Sequence, residues 1–205
     1  MPIRGLITIP GDKSISHRAL LISSLIPGEN YIRNISTAKD VQHTLKCLNN
    51  IGIISSNTNN EVLIKGSTFT NPTKELFCGN SGTTIRLLSG LLVGLNIPAQ
   101  LTGDGSLLER PMDRIINPLI NMGANISCKD NTPPITIKKT HSLIDLDYYM
   151  EIPSAQVKSA LLLAGLGSNK EIIINEIYKS RNHTEIMLND IGCDISFENN
   201  KILLN

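Results

Sequence analysis

Tryptophan is absent from this 205-residue chain, and Phe, Tyr and Trp together make up 3% of it. So few rings argue against a stacking platform for nucleobases and leave the core to aliphatic side chains. Charge of one sign is also lacking. The formal net charge is +1, which gives no bulk attraction to nucleic acid or to an anionic membrane. The four cysteines, Cys47, Cys78, Cys128 and Cys193, stand 31, 50 and 65 residues apart with no C-x-x-C among them. That spacing supports neither a zinc site nor a disulfide framework, and it fits reduced thiols of a cytosolic protein. The longest apolar run, residues 87–99, is interrupted by Ser89, Gly90, Gly94, Asn96 and Pro98. It falls short of the ~20 residues that cross a bilayer, and the N-terminal residues have no signal-peptide pattern. The composition therefore predicts a soluble, cytoplasmic globular protein with neither nucleic acid nor membrane as partner.

What is present begins at Pro10-Gly11-Asp12-Lys13-Ser14-Ile15-Ser16-His17-Arg18. An apolar stretch, residues 6–9, precedes it, and an apolar helix over residues 19–25 follows. That order reads strand, polar turn, helix N-terminus. Unsatisfied N–H groups and the positive dipole end suit an anion there, and Lys13 and Arg18 add full charges. A phosphate or carboxylate site is the expectation.

A larger period organises the rest of the chain. Three short amphipathic helices end at Gly52, Gly123 and Gly192, which lie 71 and 69 residues apart. Each is followed by two β-type runs around a polar turn, over residues 53–65, 125–138 and 194–204. Upstream of each lies a helix that is apolar on most faces, over residues 18–25, 83–92 and 156–166, which predicts burial. Each of these runs into a turn at Gly28, Gly94 or Gly167 and then into a β-rich run. The unit reads βαβαββ three times, and three copies around shared buried helices make one α/β (α+β) domain. Parallel packing would bring equivalent helix N-termini to one face. That face would gather Lys13, Arg18, Arg110, Lys158 and Arg181, a ring for a small, multiply anionic ligand.

Known phosphate grammars do not fit. The P-loop needs Gly before its Lys, and here Asp12 precedes Lys13. The dinucleotide fingerprint fails because Leu108 stands where the third Gly belongs after Gly103-x-Gly105. Gly79-Asn80-Ser81-Gly82-Thr83-Thr84 opens a helix. It reads either as a backbone cradle for a ligand or as ordinary capping. Arg86 either reaches that ligand or pairs with a local carboxylate. Arg110 reads as a ligand contact or a surface ion pair, and Lys158 as a ligand contact or a snorkelling side chain. His17 and His183 read as acid–base groups or as structural hydrogen-bonding residues. Glu185 with Thr184 reads as a cap.

At these residues the sequence resembles the enolpyruvyl transferases, and among them the 5-enolpyruvylshikimate-3-phosphate synthases. The stretch from Pro10 through Ala19 matches that family's first signature. Gly79-Asn80-Ser81-Gly82-Thr83-Thr84-Ile85-Arg86 matches the second, and Gly103-Asp104-x-Ser106-Leu107-x-x-Arg110-Pro111-Met112 the third. Ser154-Ala155-Gln156-Val157-Lys158-Ser159-Ala160 and Arg181-Asn182-His183-Thr184-Glu185 resemble the fourth and fifth. The resemblance implies transfer of the enolpyruvyl group of phosphoenolpyruvate to the 5-hydroxyl of shikimate 3-phosphate, with release of phosphate. This is a step toward chorismate and the aromatic amino acids, and it needs no metal or organic cofactor. By motif, Lys13, Ser14, Arg18, Ser154, Ala155, Gln156 and Arg181 would hold shikimate 3-phosphate. Lys13, Gly82, Arg110 and Gln156 would face phosphoenolpyruvate, and Lys13 would be the proton donor.

Family members are about twice as long, with two three-unit domains, so the chain resembles the N-terminal half. Residues 1–205 would be one domain with units near 11–70, 71–140 and 141–205. Residues 1–10 would form a strand that pairs with the second domain, which is the expected partner. The related transferase acting on UDP-N-acetylglucosamine is a poorer match, since it has Lys-Asn where this chain has Lys13-Ser14 and lacks the Ile-Ser-His-Arg continuation. An anion-binding module without turnover is the other alternative.

Overall fold

The computed structural model describes residues 4, 5, 9–58 and 61–205. Of the strand expected over residues 6–9, residues 6–8 lie outside these. Helix α1 (Lys13–Leu25) opens the first unit and leads through β1 (Gly28–Arg33) to α2 (Lys39–Asn50), β2 (Ile54–Thr58) and β3 (Glu61–Gly66). The second unit runs β4 (Leu76–Phe77), α3 (Gly82–Gly94), β5 (Ala99–Thr102), the short α4 (Gly105–Leu108), α5 (Asp113–Asn121), β6 (Ile126–Lys129) and β7 (Thr132–Ile137). The third runs β8 (Leu146–Met150), α6 (Ala155–Ser168), β9 (Ile172–Glu176), α7 (His183–Asp190), β10 (Ile195–Glu198) and β11 (Lys201–Leu204).

The three sheets repeat one topology. Their orders are β1-β3-β2, β4-β5-β7-β6 and β8-β9-β11-β10. In the two four-stranded sheets the first pair is parallel and the rest antiparallel. The hairpin β2–β3 and its counterparts follow helices that end at Gly52, Gly123 and Gly192, with φ of 95°, 90° and 85°. Only glycine adopts those angles without strain, so these residues stop each helix and turn the chain toward its hairpin.

Helix α2 buries one stripe, Val41, Thr44, Cys47 and Leu48, as an outer helix should. Helix α3 buries eleven of its thirteen residues and is central. It lies along α6 with the backbones in contact. A Cβ at Gly90 would sit 2.0 Å from the Ala160 carbonyl oxygen, and one at Gly94 would sit 2.4 Å from that of Ala164. A Cβ at Gly167 would in turn meet the backbone of Gly94 at 3.0 Å. Positions advance together on both helices, so the pair is parallel. Gly94 and Gly167 are thus not the expected turns. They lie inside helices because backbones approach there, and left-handed Asn96 and Asn169, both at φ 54°, make the turns instead. Helix α1 also starts earlier than residue 19. The Asp12 carboxylate accepts from the Ile15 N–H at 2.8 Å, so the polar residues from Lys13 onward already belong to the helix.

A buried polar chain joins α1, α2 and α3. Thr84 Oγ1 donates to the Asp40 carbonyl (3.2 Å) or Ser81 Oγ (2.8 Å), Thr44 Oγ1 lies 2.8 Å from Thr84, and His17 Nδ1 lies 2.7 Å from Thr44. If Thr84 and Thr44 each pass their hydroxyl hydrogen along this chain, His17 carries its proton on Nδ1. Its Nε2 is buried without a partner among the described residues. Burial pushes the His17 pKa down to about 4, Asp40 opposes this, and Lys13 and Arg18 add to it. The structural reading of His17 is the one the fold supports.

Two measurements test this packing. Gly90→Ala should cost about 3 kcal/mol in denaturant unfolding through overpacking, whereas Gly105→Ala, with nothing within 4 Å of its new Cβ, should stay within about 0.5 kcal/mol. For His17 the folded pKa lies below the unfolded value of 6.5, so its contribution is present above pH 6.5 and is lost as pH falls toward 4. Between pH 7 and pH 5 the protein should lose about 2 kcal/mol of stability that His17→Asn does not lose, read from melts at both pH values.

Candidate active site

Three helices present their N-termini with side-chain caps. Asp12 caps α1, Ser81 accepts from the Thr84 N–H at 3.1 Å on α3, and Ser154 accepts from the Val157 N–H at 3.3 Å on α6. The backbone N–H of Ile15 is the main cause that holds the Asp12 carboxyl below its usual range, and the nearby His183 and Arg181 lower it further.

On α1, Lys13 Nζ lies 2.8 Å from Asp40 Oδ2, both partly exposed. Such a pair is weak, about 1 kcal/mol or less, so an incoming anion can displace Asp40 at little cost. Ser14 is half-buried beside it. Arg18 lies beneath this face. It is 3% exposed and spends four of its five N–H donors on Thr184 Oγ1 (2.7 Å), the Ser14 carbonyl (2.9 Å), the Ala155 carbonyl (3.2 Å) and Ser159 Oγ (2.7 Å). It is the bolt between α1, α6 and α7.

On α3 the small residue is Gly82. A Cβ there would meet Arg86 Nη1 at 2.8 Å and Arg110 Nη1 at 3.0 Å, so two guanidiniums flank one glycine. Arg110 donates to Asn80 Oδ1. Arg86 pairs with no carboxylate among the described residues. It donates to Gln156 Oε1 (3.0 Å) and the Pro111 carbonyl (2.9 Å), while Gln156 Nε2 donates to Thr83 Oγ1 (2.8 Å). The Gln156 side chain is thereby fixed at both ends. Burial lowers the Arg86 pKa, the charges of Arg110 and Arg114 lower it further, and Asp113 opposes them. The Gly103 loop closes onto the Gly79 loop, with the Asp104 N–H 3.0 Å from the Gly79 carbonyl, and this brings Arg110 to Asn80.

On α6, Ser154, Ala155 and Gln156 line a cavity of about 480 Å³ with Pro153, Ser180 and exposed Arg181. Lys158, one turn on, does not reach it. It is fully buried, with Nζ 3.0 Å from Glu176 Oε2 and 2.6 Å from Glu185 Oε1. Of the expected ring, Lys158 goes to the interior, Arg18 sits beneath the face with one Nη1 donor unspent, and Arg86 is gained. The physical reason is pairing. Each of the two finds enough acceptors underneath, and sequence spacing does not announce those partners. Glu185 is not a simple cap, and nothing in the sequence marks Glu176, which follows Asn175 at the end of β9, as a partner. His183 Nδ1 is buried without a partner among the described residues. No three His, Cys, Asp or Glu side chains group as a metal site among the described residues.

Chemically, the face offers capped helix ends, an ammonium, guanidiniums that crowd one another, and small residues that admit close approach. Negative charge relieves that crowding.

Residues 1–204 match the profile of EPSP synthase (3-phosphoshikimate 1-carboxyvinyltransferase). A 3-phosphoshikimate 1-carboxyvinyltransferase of Streptococcus uberis is 44% identical over 199 residues, covering 95% of this chain and 47% of that protein. The one of Thermodesulfovibrio yellowstonii is 46% identical over 208 residues, covering 98% and 48%. The 2.37 Å structure of EPSP synthase from Acinetobacter baumannii superposes with a TM-score of 0.92 at 39% identity, over 98% of this chain and 46% of that one. The chain thus spans about half the length of the relatives it matches. With that family's profile along nearly its whole length, and with the fold of one half of a solved member, this chain belongs to the EPSP synthase family of transferases.

Proposed function

We propose that this chain forms the shikimate 3-phosphate side of an enolpyruvyl-transferring site, whose other side is a second three-unit domain. Lys13, Ser14, Ser154, Ala155, Gln156 and Arg181 hold shikimate 3-phosphate around the cavity at the start of α6, and Arg18 contributes through its remaining Nη1 donor. Phosphoenolpyruvate lies toward Gly82, between Lys13, Arg110 and Gln156. Residues 11–70, 71–140 and 141–205 are the units of one domain, acting in the cytoplasm. The observation that carries the reading is the meeting of three capped helix N-termini with Lys13, Arg86, Arg110 and Arg181 on one face.

In the reaction the 5-hydroxyl passes its proton to a carboxylate of the second domain as its oxygen bonds to C2 of phosphoenolpyruvate, and a proton from Lys13 adds to C3, so that the C2–C3 double bond becomes single. The tetrahedral intermediate then loses phosphate from C2 and a proton from the methyl carbon, which restores the double bond. Lys13 stands between both ligands and serves as proton donor. The helix ends and cations neutralise two phosphates and two carboxylates as charge shifts among them. Water exclusion and the remaining charged groups come from closure against the second domain.

The test is calorimetric titration of the purified chain with shikimate 3-phosphate, followed by a phosphate-release assay with phosphoenolpyruvate. The chain should bind shikimate 3-phosphate, and Lys13→Met should weaken that binding by roughly tenfold or more. Phosphate release should be absent from the chain alone and should appear when the C-terminal half of a full-length relative is added. UDP-N-acetylglucosamine should not substitute as acceptor. A folded chain that ignores shikimate 3-phosphate, or a Lys13→Met variant that binds it unchanged, would overturn the reading.

A further inference from the structure

The wall of the cavity opposite α6 is the segment between β9 and α7, which carries Ser180 and Arg181. It has little packing to hold it. Ile177 and Tyr178 point outward and are exposed. Behind Ser180 lies a second cavity of about 240 Å³, bordered by Glu176, Lys179, Asn182 and Glu185. Ser180 thus has open space on both sides.

One side chain bridges this gap. Glu176, at the end of β9, is 7% exposed. Its Oε1 accepts from both the Ser180 N–H (3.1 Å) and the Ser180 hydroxyl (2.6 Å). Its Oε2 accepts from Lys158 Nζ at 3.0 Å. Lys158 sits one turn after Ser154 on α6, with its N–H on the Ser154 carbonyl at 3.1 Å. A single carboxylate therefore spans from the helix that builds one wall to the loop that builds the other.

We propose that Glu176 is a positioning residue that sets the width of this cleft and thereby the place of Arg181. The proposal rests on the reading of the cavity as the shikimate 3-phosphate site. Charge-assisted bonds in a dry interior are short and directional, so a small change at Glu176 moves the loop. Glu185 supplies the control. It shares Lys158 at 2.6 Å and is also buried, yet it makes no bond to Ser180 among the described residues.

Glu176→Gln keeps the shape but puts an NH2, which cannot accept, in place of one carboxylate oxygen, so either Lys158 or the Ser180 N–H loses its acceptor. Glu185→Gln removes the same charge beside the same lysine. Ser180→Ala removes only the hydroxyl contact, at a half-buried position, and leaves the Ser180 N–H in place. All are compared with the unaltered chain by amide hydrogen exchange over residues 177–182 and by titration with shikimate 3-phosphate. Glu176→Gln should speed exchange in that segment about tenfold and weaken binding about tenfold. Ser180→Ala should do the same to a smaller degree. Glu185→Gln should lower the melting temperature while exchange in the segment stays at the unaltered level. Equal segment exchange in Glu176→Gln and Glu185→Gln, or an unchanged segment in Ser180→Ala, overturns the proposal. Absence of shikimate 3-phosphate binding in the unaltered chain overturns the reading of the cavity, while the exchange comparison still decides the role of Glu176.

Discussion

Helices α3 and α6 touch backbone to backbone, and the rest of the molecule is arranged around that contact. Gly90 and Gly94 face Ala160, Ala164 and Gly167, so neither helix can slide or rotate without a collision. Two helices locked in parallel have their N-termini side by side. Gly82 and its flanking guanidiniums then lie next to Gln156, and the Arg86–Gln156–Thr83 bonds join the two ends. The third helix is fastened differently. Helix α1 is tied to α6 and α7 by the Arg18 guanidinium and to α2 and α3 by the His17–Thr44–Thr84 chain. Small apolar residues hold one seam and buried polar groups hold the other two.

Parallel helices have an electrostatic cost. Three positive dipole ends repel one another, as do the guanidiniums of Arg86, Arg110 and Arg114. The protein lowers this cost with capping oxygens from Asp12, Ser81 and Ser154 and with the Lys13–Asp40 pair. It sends the cations that would overload the face into the interior, where Glu176 and Glu185 neutralise Lys158 and the charge of Glu185 also favours charged Arg18. The buried network and the exposed face are two halves of one charge distribution.

Much of this was legible in the sequence, for identifiable reasons. The repeat showed because Gly52, Gly123 and Gly192 must each reverse the chain, and only glycine does so cheaply. The capped turns showed because caps use few residue types. Hairpins β2–β3, β6–β7 and β10–β11 fell where paired β-type runs flank polar turns. Other features were hidden because they depend on three-dimensional partners. Gly94 and Gly167 read as turns, yet close helix approach asks for the same residue. Lys158 read as a ligand contact or a snorkelling cation because its carboxylates lie 18 and 27 residues away in sequence. Arg86 finds an amide and a carbonyl rather than a carboxylate, and no local pattern encodes that choice.

The unequal fastening of the three helices has a consequence for recognition. A repeat of three like units tends toward threefold symmetry, and a symmetric face would accept a small anion in three equivalent orientations. Helices α3 and α6 are joined by bare backbone, whereas a guanidinium fills the seam between α1 and α6. The three corners are therefore inequivalent in spacing and in chemistry. A ligand with distinct ends finds one orientation rather than three.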